Sequence, residues 1–116
     1  MNILVTGANG QLGCEMRRLG AVSPNNYIFT DVAELDITDS DAVMRVVKEC
    51  TVEAIVNCAA YTNVKDCETE EGFKKAMFVN CESVKNLANL CNEFGIFTLH
   101  SVFKSFIKYL NLFLFH

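Results

Sequence analysis

The residues best suited to chemistry are three glycines near the start of the chain. Gly7, Gly10 and Gly13 stand at GxxGxxG spacing, after a short apolar run and before a helix-forming segment. A pyrophosphate needs such a loop, because backbone N–H groups and the positive end of a helix dipole meet its oxygens. We expect Gly7 to permit the turn, Gly10 to let the backbone approach the phosphates and Gly13 to let the helix pack closely on the strand. The loop predicts dinucleotide binding, with a tight turn that binds nothing as the alternative.

Two acidic residues follow, one at the end of the second predicted strand and one beyond it. Asp31 lies eighteen residues after Gly13, where a carboxylate can accept hydrogen bonds from an adenosine ribose. That position favours NAD over NADP, and the alternative is a polar residue that simply ends the strand. Asp36, which precedes Ile37, either faces the adenine or belongs to the capping region of the next helix.

Small residues and an aromatic one follow the third predicted strand. Ligands of parallel sheets lie at the carboxyl ends of strands, so we expect Ala59, Ala60 and Tyr61 to border the cofactor. On the next helix, Asn80 is predicted to lie on a buried stripe with Phe73, Met77, Val84, Leu87 and Cys91. A buried amide needs a partner, which is either a loop carbonyl or a polar group of the active site.

Alternating strand and helix signals place these residues in one fold. Short apolar runs predict four strands, at residues 3–5, 27–29, 54–56 and 96–99. Helical periodicity predicts three helices, which begin near residues 11, 38 and 69. The third should run to Phe94, with Gly95 as its C-terminal cap. The order predicts an α/β fold: a Rossmann-type parallel sheet with helices on both faces, truncated after about four strands.

The composition fits one globular domain and excludes some partners. The chain has 116 residues, 51% hydrophobic and 21% charged, with a net charge of −4. A nucleic-acid partner is not expected, since phosphate neutralisation needs a basic surface. Residues 101–116 form a divergent hydrophobic tail, with two Lys, no acid and four of the nine Phe. The tail is shorter than the roughly 20 residues that span a membrane, and we expect it to cover exposed sheet surface rather than bind a membrane.

Six cysteines are scattered along the chain, at positions 14, 50, 58, 67, 81 and 91. No pair has the CxxC spacing of a zinc or redox site. The opening residues lack the basic and long apolar regions of a secretory signal, so a cytoplasmic protein with reduced thiols is expected. We interpret the cysteines as small hydrophobic residues of the core.

Three segments together resemble the dTDP-4-dehydrorhamnose reductase family of the extended short-chain dehydrogenases/reductases. They are Thr6–Gly13, Leu35–Thr38 and Asn57–Val64, and the resemblance covers about residues 1–100. It implies reduction of the 4-keto group of dTDP-6-deoxy-L-lyxo-4-hexulose with NADPH or NADH, which gives dTDP-L-rhamnose. It also implies a set of cofactor-binding residues: Gly7, Asn9, Gly10, Gln11, Leu12 and Gly13 at the pyrophosphate, Asp31, Asp36 and Ile37 at the adenosine, and Ala59, Ala60 and Tyr61 along the nicotinamide side.

The resemblance also gives Glu15 a second interpretation. By its position we expect Glu15 in the first turn of the first helix, where a carboxylate interacts favourably with the helix dipole. Some members of the family bind Mg²⁺ at a dimer contact through a glutamate at the matching position. The resemblance therefore implies a homodimer as partner and Glu15 as a candidate metal ligand, with the other ligands beyond this chain.

The catalytic pattern of the family does not follow the fourth predicted strand. The family continues there with Ser-Thr-Asp-Tyr and later a Tyr-x-x-x-Lys pair, whereas this chain continues with Ser101-Val102-Phe103-Lys104. Tyr61 and Lys65 imitate the pair, but we reject them because they precede the long helix. No catalytic residue is assigned, and we expect residues 1–100 to hold a dinucleotide without turning over a nucleotide sugar, which only a longer form would bind. The alternatives are a non-catalytic binding or regulatory module and a fragment of a sugar-nucleotide epimerase.

Overall fold

A four-stranded parallel sheet with the order β2-β1-β3-β4 organises the chain. The computed structural model describes residues 1–59 and 68–100. The strands are β1 Asn2–Thr6, β2 Asn26–Phe29, β3 Ala54–Asn57 and β4 Phe97–His100. Each lies within one residue of its predicted bounds. Ala60, Tyr61, Cys67 and the tail 101–116 lie outside the described residues.

The helices begin and end at residues that the sequence marks for that purpose. They are α1 Gln11–Gly20, α2 Ser40–Glu49, α3 Glu70–Met77 and α4 Ser83–Phe94, with a π-helical segment Phe78–Glu82 between the last two. The Asp39 carboxylate caps α2 by accepting from the Ala42 N–H at 3.1 Å. Gly95 ends α4 in the left-handed conformation, at φ +66°, as predicted.

The two faces of the sheet carry separate hydrophobic cores. On one face, α1 buries Met16 and Leu19 against alternate strand residues such as Val5 and Val56. On the other face, α2 and α4 pack against the intervening strand residues, with Leu4, Ile55, Val43, Val47 and Leu87 in one cluster. Helices therefore cover both faces, which confirms the predicted architecture.

The predicted buried stripe of the long helix is wrong in its first half. Phe73, Met77 and Asn80 are exposed, with 57% of the Phe73 surface accessible. The buried side carries Gly72 and Ser83 instead, and only from Leu87 onward do the predicted and observed stripes agree. The large apolar side chains Phe73 and Met77 therefore lie on the exposed side of this helix. The π-helical segment between the two halves also changes the register of their faces.

The cysteine interpretation holds for only part of the chain. Cys91 is buried in the core, but Cys14 and Cys81 are exposed on their helices, which contradicts the prediction for those two. Cys50 and Cys58 are half-buried, and all five described cysteines are free thiols. No helix within the described ranges is long and apolar enough to cross a membrane.

Candidate functional site

The glycine loop joins β1 to α1 and is held in a defined shape by backbone hydrogen bonds. Gly7 has a φ of +62°, which is strained for any residue with a side chain. A Cβ there would also lie 2.5 Å from the Ala59 nitrogen, so the loop after β3 passes directly over it. The Ala8 N–H donates to the Thr30 carbonyl at 2.9 Å, which ties the loop to the end of β2. The predicted turn at Gly7 is present.

Gly13 is also required by the fold, through a different neighbour from the one expected. It is buried in α1, and a Cβ would lie 2.5 Å from the backbone of Ala8. The close contact is therefore with the glycine loop itself rather than with the strand.

Gly10 is the glycine that the chain's own packing does not require. Its φ is −76°, an ordinary value, and a Cβ would meet only the Gly7 carbonyl oxygen, at a tolerable 3.4 Å. The missing side chain instead leaves space that opens on a cleft, because Gly10 lines the cleft with Gly7 and Asn9. Gly10 is also the N-cap of α1 and has no capping side chain, so the first amides of the helix have no side-chain acceptor there.

The Asp31 carboxylate lies beside the glycine loop, at the end of β2. Its Oδ2 accepts from the Asn9 N–H at 2.8 Å and its Oδ1 accepts from the Val32 N–H at 2.8 Å. The Asp31 N–H donates in turn to the Glu34 carboxylate at 2.9 Å. A carboxylate has about four acceptor positions, so it can still accept from a ribose while it holds the loop. The residue is half-buried and lines the cleft.

Asp36 takes part in the turn before α2, one of its two predicted alternatives. Its Oδ1 accepts from the Thr38 N–H at 2.9 Å and from the Thr38 hydroxyl at 2.7 Å, and its carbonyl accepts from the N–H of the capping residue Asp39. Asp36 also lines the cleft, as does Ile37, whose side chain is buried in the core. The turn therefore presents one acid and one apolar residue to the same space.

The cleft has a volume of about 480 Å³ and lies at the carboxyl ends of the strands. Its lining residues come from four segments: Gly7, Asn9 and Gly10; Asp31, Val32, Leu35, Asp36, Ile37 and Thr38; Cys58 and Ala59; Lys75 and Val79. Of the described candidates, Gln11, Leu12 and Gly13 lie in the first turn of α1 and are not among the residues that line the cleft. Lys75 and Val79 are residues that the sequence analysis missed, since their helix was read in a different register.

Cys58 lines the cleft as a neutral thiol. Burial raises its pKa from an ordinary 9.0 to about 12. It therefore contributes a small apolar surface rather than a nucleophile. The adjoining Asn57 is buried, and its Oδ1 accepts from the Thr6 hydroxyl at 2.6 Å and the Ala59 N–H at 3.2 Å.

The Glu15 side chain forms an ion pair with Arg18. Its Oε2 lies 2.8 Å from Nη2 of Arg18 and accepts from the Arg18 Nε at 3.0 Å. Glu15 is the fifth residue of α1, one place beyond the first turn, so the expected position at the positive end of the helix is wrong. Across residues 1–59 and 68–100 there is no group of three or more His, Cys, Asp or Glu that could hold a metal. The Mg²⁺ site that the resemblance implies at a dimer contact therefore stays a prediction.

Arg17, the neighbour of Arg18, supports the glycine loop and was not singled out from the sequence. Its Nη2 donates to Oδ1 of Asn9 at 3.2 Å and its Nε donates to the Ala8 carbonyl at 3.4 Å. The guanidinium also lies over the Phe29 ring, 4.8 Å from the centroid. No short motif in the sequence links Arg17 to the loop.

Comparison with known proteins gives consistent matches over the described part of the chain. The family model described as the RmlD substrate binding domain matches residues 1–103. The dTDP-4-dehydrorhamnose reductase of Escherichia coli is 37% identical over 105 residues, which cover 86% of this chain and 34% of that protein.

Two solved structures extend this likeness to the fold. A dTDP-4-dehydrorhamnose reductase of Clostridium acetobutylicum has a TM-score of 0.76 at 40% identity, over 84% of this chain and 34% of that one. The dTDP-4-dehydrorhamnose reductase of Bacillus anthracis in complex with NADP has a TM-score of 0.73 at 31% identity, over 84% of this chain and 34% of that one. The Rossmann-type fold is confirmed, and the chain spans about a third of the length of the relatives it matches.

Proposed function

Because this chain belongs to the family of the RmlD substrate binding domain, we propose that it holds the nicotinamide cofactor of a dTDP-4-dehydrorhamnose reductase. The proposed ligand is NADH or NADPH, and residues 1–100 form the unit that binds it. In the whole enzyme the reaction is reduction of the 4-keto group of dTDP-6-deoxy-L-lyxo-4-hexulose to give dTDP-L-rhamnose. The similar Bacillus anthracis protein in complex with NADP supports the cofactor class.

The observation that carries the proposal is the space at Gly10. Gly7 and Gly13 are explained by contacts within the chain, whereas a Cβ at Gly10 meets only one carbonyl oxygen, at 3.4 Å. The space faces the cleft in front of the uncapped N-terminus of α1. A pyrophosphate fits there, because it needs close approach to the backbone and gains from the helix dipole.

The adenosine half of the ligand is assigned to the part of the cleft between β2 and α2. Asp31 supplies a carboxylate for the ribose hydroxyls. Exposed Val32 supplies apolar surface for the adenine, Ile37 lines the cleft from the core, and Asp36 lines it with its carboxylate held by Thr38. Burial of a flat aromatic base against such side chains is favourable because it removes apolar surface from water.

The nicotinamide half is assigned to the loop after β3. Cys58 and Ala59 are the described residues of that wall, and both leave room for a ring close to the backbone. Ala60 and Tyr61 belong to the same assignment. Lys75 also lines the cleft, and its positive charge complements the phosphates.

The chemistry of the bound group is hydride donation from the reduced nicotinamide to a carbonyl carbon. This chain's own residues bind and orient that group. The glycine loop binds its pyrophosphate, and Cys58 stays a neutral thiol, so it offers no competing nucleophile in the cleft. We assign no acid or base for the ketosugar to the described residues.

Equilibrium titration of the 116-residue chain tests the proposal. Binding is followed by isothermal calorimetry with NADH, with NADPH and with dTDP alone as a control nucleotide. We expect saturable binding of one dinucleotide per chain and much weaker binding of dTDP. Absence of saturable binding of both dinucleotides contradicts the proposal.

A second measurement separates the reductase from the binding-module alternative. The ketosugar is supplied with NADH to the chain alone and to the chain mixed with a separately expressed C-terminal part of a related reductase. We expect binding without turnover from the chain alone and restored reduction in the mixture. Turnover by the chain alone contradicts the expected inactivity, and nucleotide-dependent capture of another enzyme without restored reduction favours the regulatory module.

A further inference from the structure

The contact with Arg17 fixes the orientation of the Asn9 side-chain amide. Arg17 has only donors on its guanidinium, so the amide atom facing it at 3.2 Å must be the oxygen, Oδ1. The two hydrogens of the Asn9 Nδ2 then have no acceptor among the described residues. Asn9 lines the cleft, whereas Arg17 is not among the described residues that line it. Arg17 therefore orients the Asn9 amide so that the N–H₂ group of Asn9 faces the cleft, although Arg17 itself does not line the cleft.

These donors lie at the ribose end of the cleft. The Asn9 backbone N–H binds Oδ2 of Asp31 at 2.8 Å, so the side chain of Asn9 starts beside the carboxylate assigned to the ribose. A carboxylate there repels the 2′-phosphate that distinguishes NADPH from NADH. Two N–H donors with a guanidinium behind them oppose that repulsion, since hydrogen bonds to a charged phosphate are among the stronger ones.

We propose that Arg17, acting through the Asn9 amide, lets this site accept a 2′-phosphate beside Asp31. The inference rests on the proposed function, because it deepens the assignment of the same cleft. Arg17 is a positioning residue: it orients the amide and supplies charge behind it. Asn9 is the residue that contacts the phosphate.

The competing explanation is that Arg17 only braces the loop. Its bonds to the Ala8 carbonyl and to Asn9, and its stacking on Phe29, would serve that purpose equally well. A brace affects both dinucleotides alike, because they share the pyrophosphate. A 2′-phosphate contact affects NADPH alone. The ratio of the two dissociation constants is therefore the decisive quantity.

The experiment compares R17Q and N9A with the unchanged chain, each titrated with NADPH and NADH at the same low salt. We expect both variants to raise the Kd of NADPH about tenfold and that of NADH less than about threefold, as loss of a charge-assisted hydrogen bond implies. R18Q is the matched control: it removes the same charge one residue away, where Arg18 pairs with Glu15. The ratio of its Kd for NADPH to its Kd for NADH should equal that of the unchanged chain.

Several outcomes overturn the inference. Equal weakening of both dinucleotides in R17Q and N9A shows a brace, and an equal change in R18Q shows a long-range charge effect. Because R17Q also loses its stacking on Phe29, circular dichroism checks its fold, and N9A keeps that stacking if R17Q fails to fold. If the unchanged chain binds neither dinucleotide, the proposed function fails. If it binds both and the ratios do not move, only this inference fails.

Discussion

The Thr6 hydroxyl donates to Oδ1 of Asn57 over 2.6 Å, and both side chains are almost fully buried. The bond joins the carboxyl ends of β1 and β3, the two central strands of the sheet. The loops that follow these strands form two walls of the cleft. The pair therefore fixes the spacing of those walls from underneath.

Replacing Thr6 by Val should reduce the free energy of unfolding by about 1–2 kcal/mol, since a short buried hydrogen bond is lost at nearly constant volume. Thr30→Val is the control. The Thr30 hydroxyl donates to the Val5 carbonyl at 3.0 Å, and the Thr30 N–H donates to the same carbonyl at 2.9 Å, so the two residues stay linked after the substitution. Urea unfolding measures both variants. An equal loss in the two would show that the Asn57 contact has no special weight.

Gly10→Val should abolish dinucleotide binding and leave the helix content unchanged. The added side chain enters the cleft where the phosphates are assigned, and its Cβ meets no backbone atom closer than 3.4 Å. Calorimetry and circular dichroism check the two parts. Gly13→Val is the contrasting variant: its Cβ would lie 2.5 Å from Ala8, so it should lose the fold itself. Unchanged NADH affinity in the folded Gly10 variant would remove the loop from the site.

Asp31→Ala should weaken NADH binding more than NADPH binding. The carboxylate is assigned to the ribose hydroxyls, and its loss should raise the Kd of NADH about fivefold to tenfold. For NADPH, removal of the repulsion on the 2′-phosphate offsets the loss. Asp31→Asn keeps an acceptor for the Asn9 N–H and so separates ribose recognition from support of the loop. Equal effects on both dinucleotides would exclude Asp31 from ribose recognition.

The Cys58 thiol should make the protein less stable in alkali. Its pKa rises from 9.0 to about 12 on folding, because burial disfavours the thiolate. Above pH 9 the unfolded chain loses a proton that the folded chain keeps, so the free energy of unfolding falls as the pH rises from 9 towards 12. Urea unfolding below pH 9 and at about pH 10.5 measures the fall.

Cys58→Ala is the control for that pH dependence. Burial also raises the pKa of Cys91, which remains in the variant and contributes in the same direction. The difference between the two chains therefore isolates Cys58, and the variant should lose less stability in alkali. If both chains lose the same amount, the Cys58 thiol ionises as readily when folded as when unfolded.

Leu87→Ala should destabilise the protein much more than Phe73→Ala. Leu87 is 2% exposed, so its truncation leaves a cavity and should cost about 2–5 kcal/mol. Phe73 is 57% exposed, and its truncation should cost less than about 1 kcal/mol. Thermal or urea unfolding distinguishes the two. A large loss of stability in Phe73→Ala would indicate that Phe73 is packed in the core, as the predicted buried stripe has it.

Local sequence signals were enough to predict the elements of this fold. The strand bounds follow from short apolar runs, and the helix ends follow from Asp39 and Gly95, whose effects act within a few residues. The glycine spacing likewise placed the loop that lines the cleft.

The features that the sequence did not predict depend on which of several available contacts a residue makes in the folded chain. Periodicity predicts one buried side for this helix, but in the structure Gly72 is buried and Phe73 is exposed. The hydrogen bond from Arg17 to Asn9 joins residues eight positions apart, one in α1 and the other in the loop before it. The ion pair of Glu15 with Arg18 is local, yet the sequence allowed the helix dipole equally well.

The contact of Gly7 with the loop after β3 has a consequence for how this fold can vary between species. A Cβ at position 7 would strike backbone atoms of Cys58 and Ala59, so no choice of side chain at 58 or 59 could make room for it. The constraint therefore applies to Gly7 and not to the side chains at 58 and 59. Among homologous sequences, we expect glycine to be retained at position 7 while the residue opposite it drifts, and a compensating pair of substitutions should not be found.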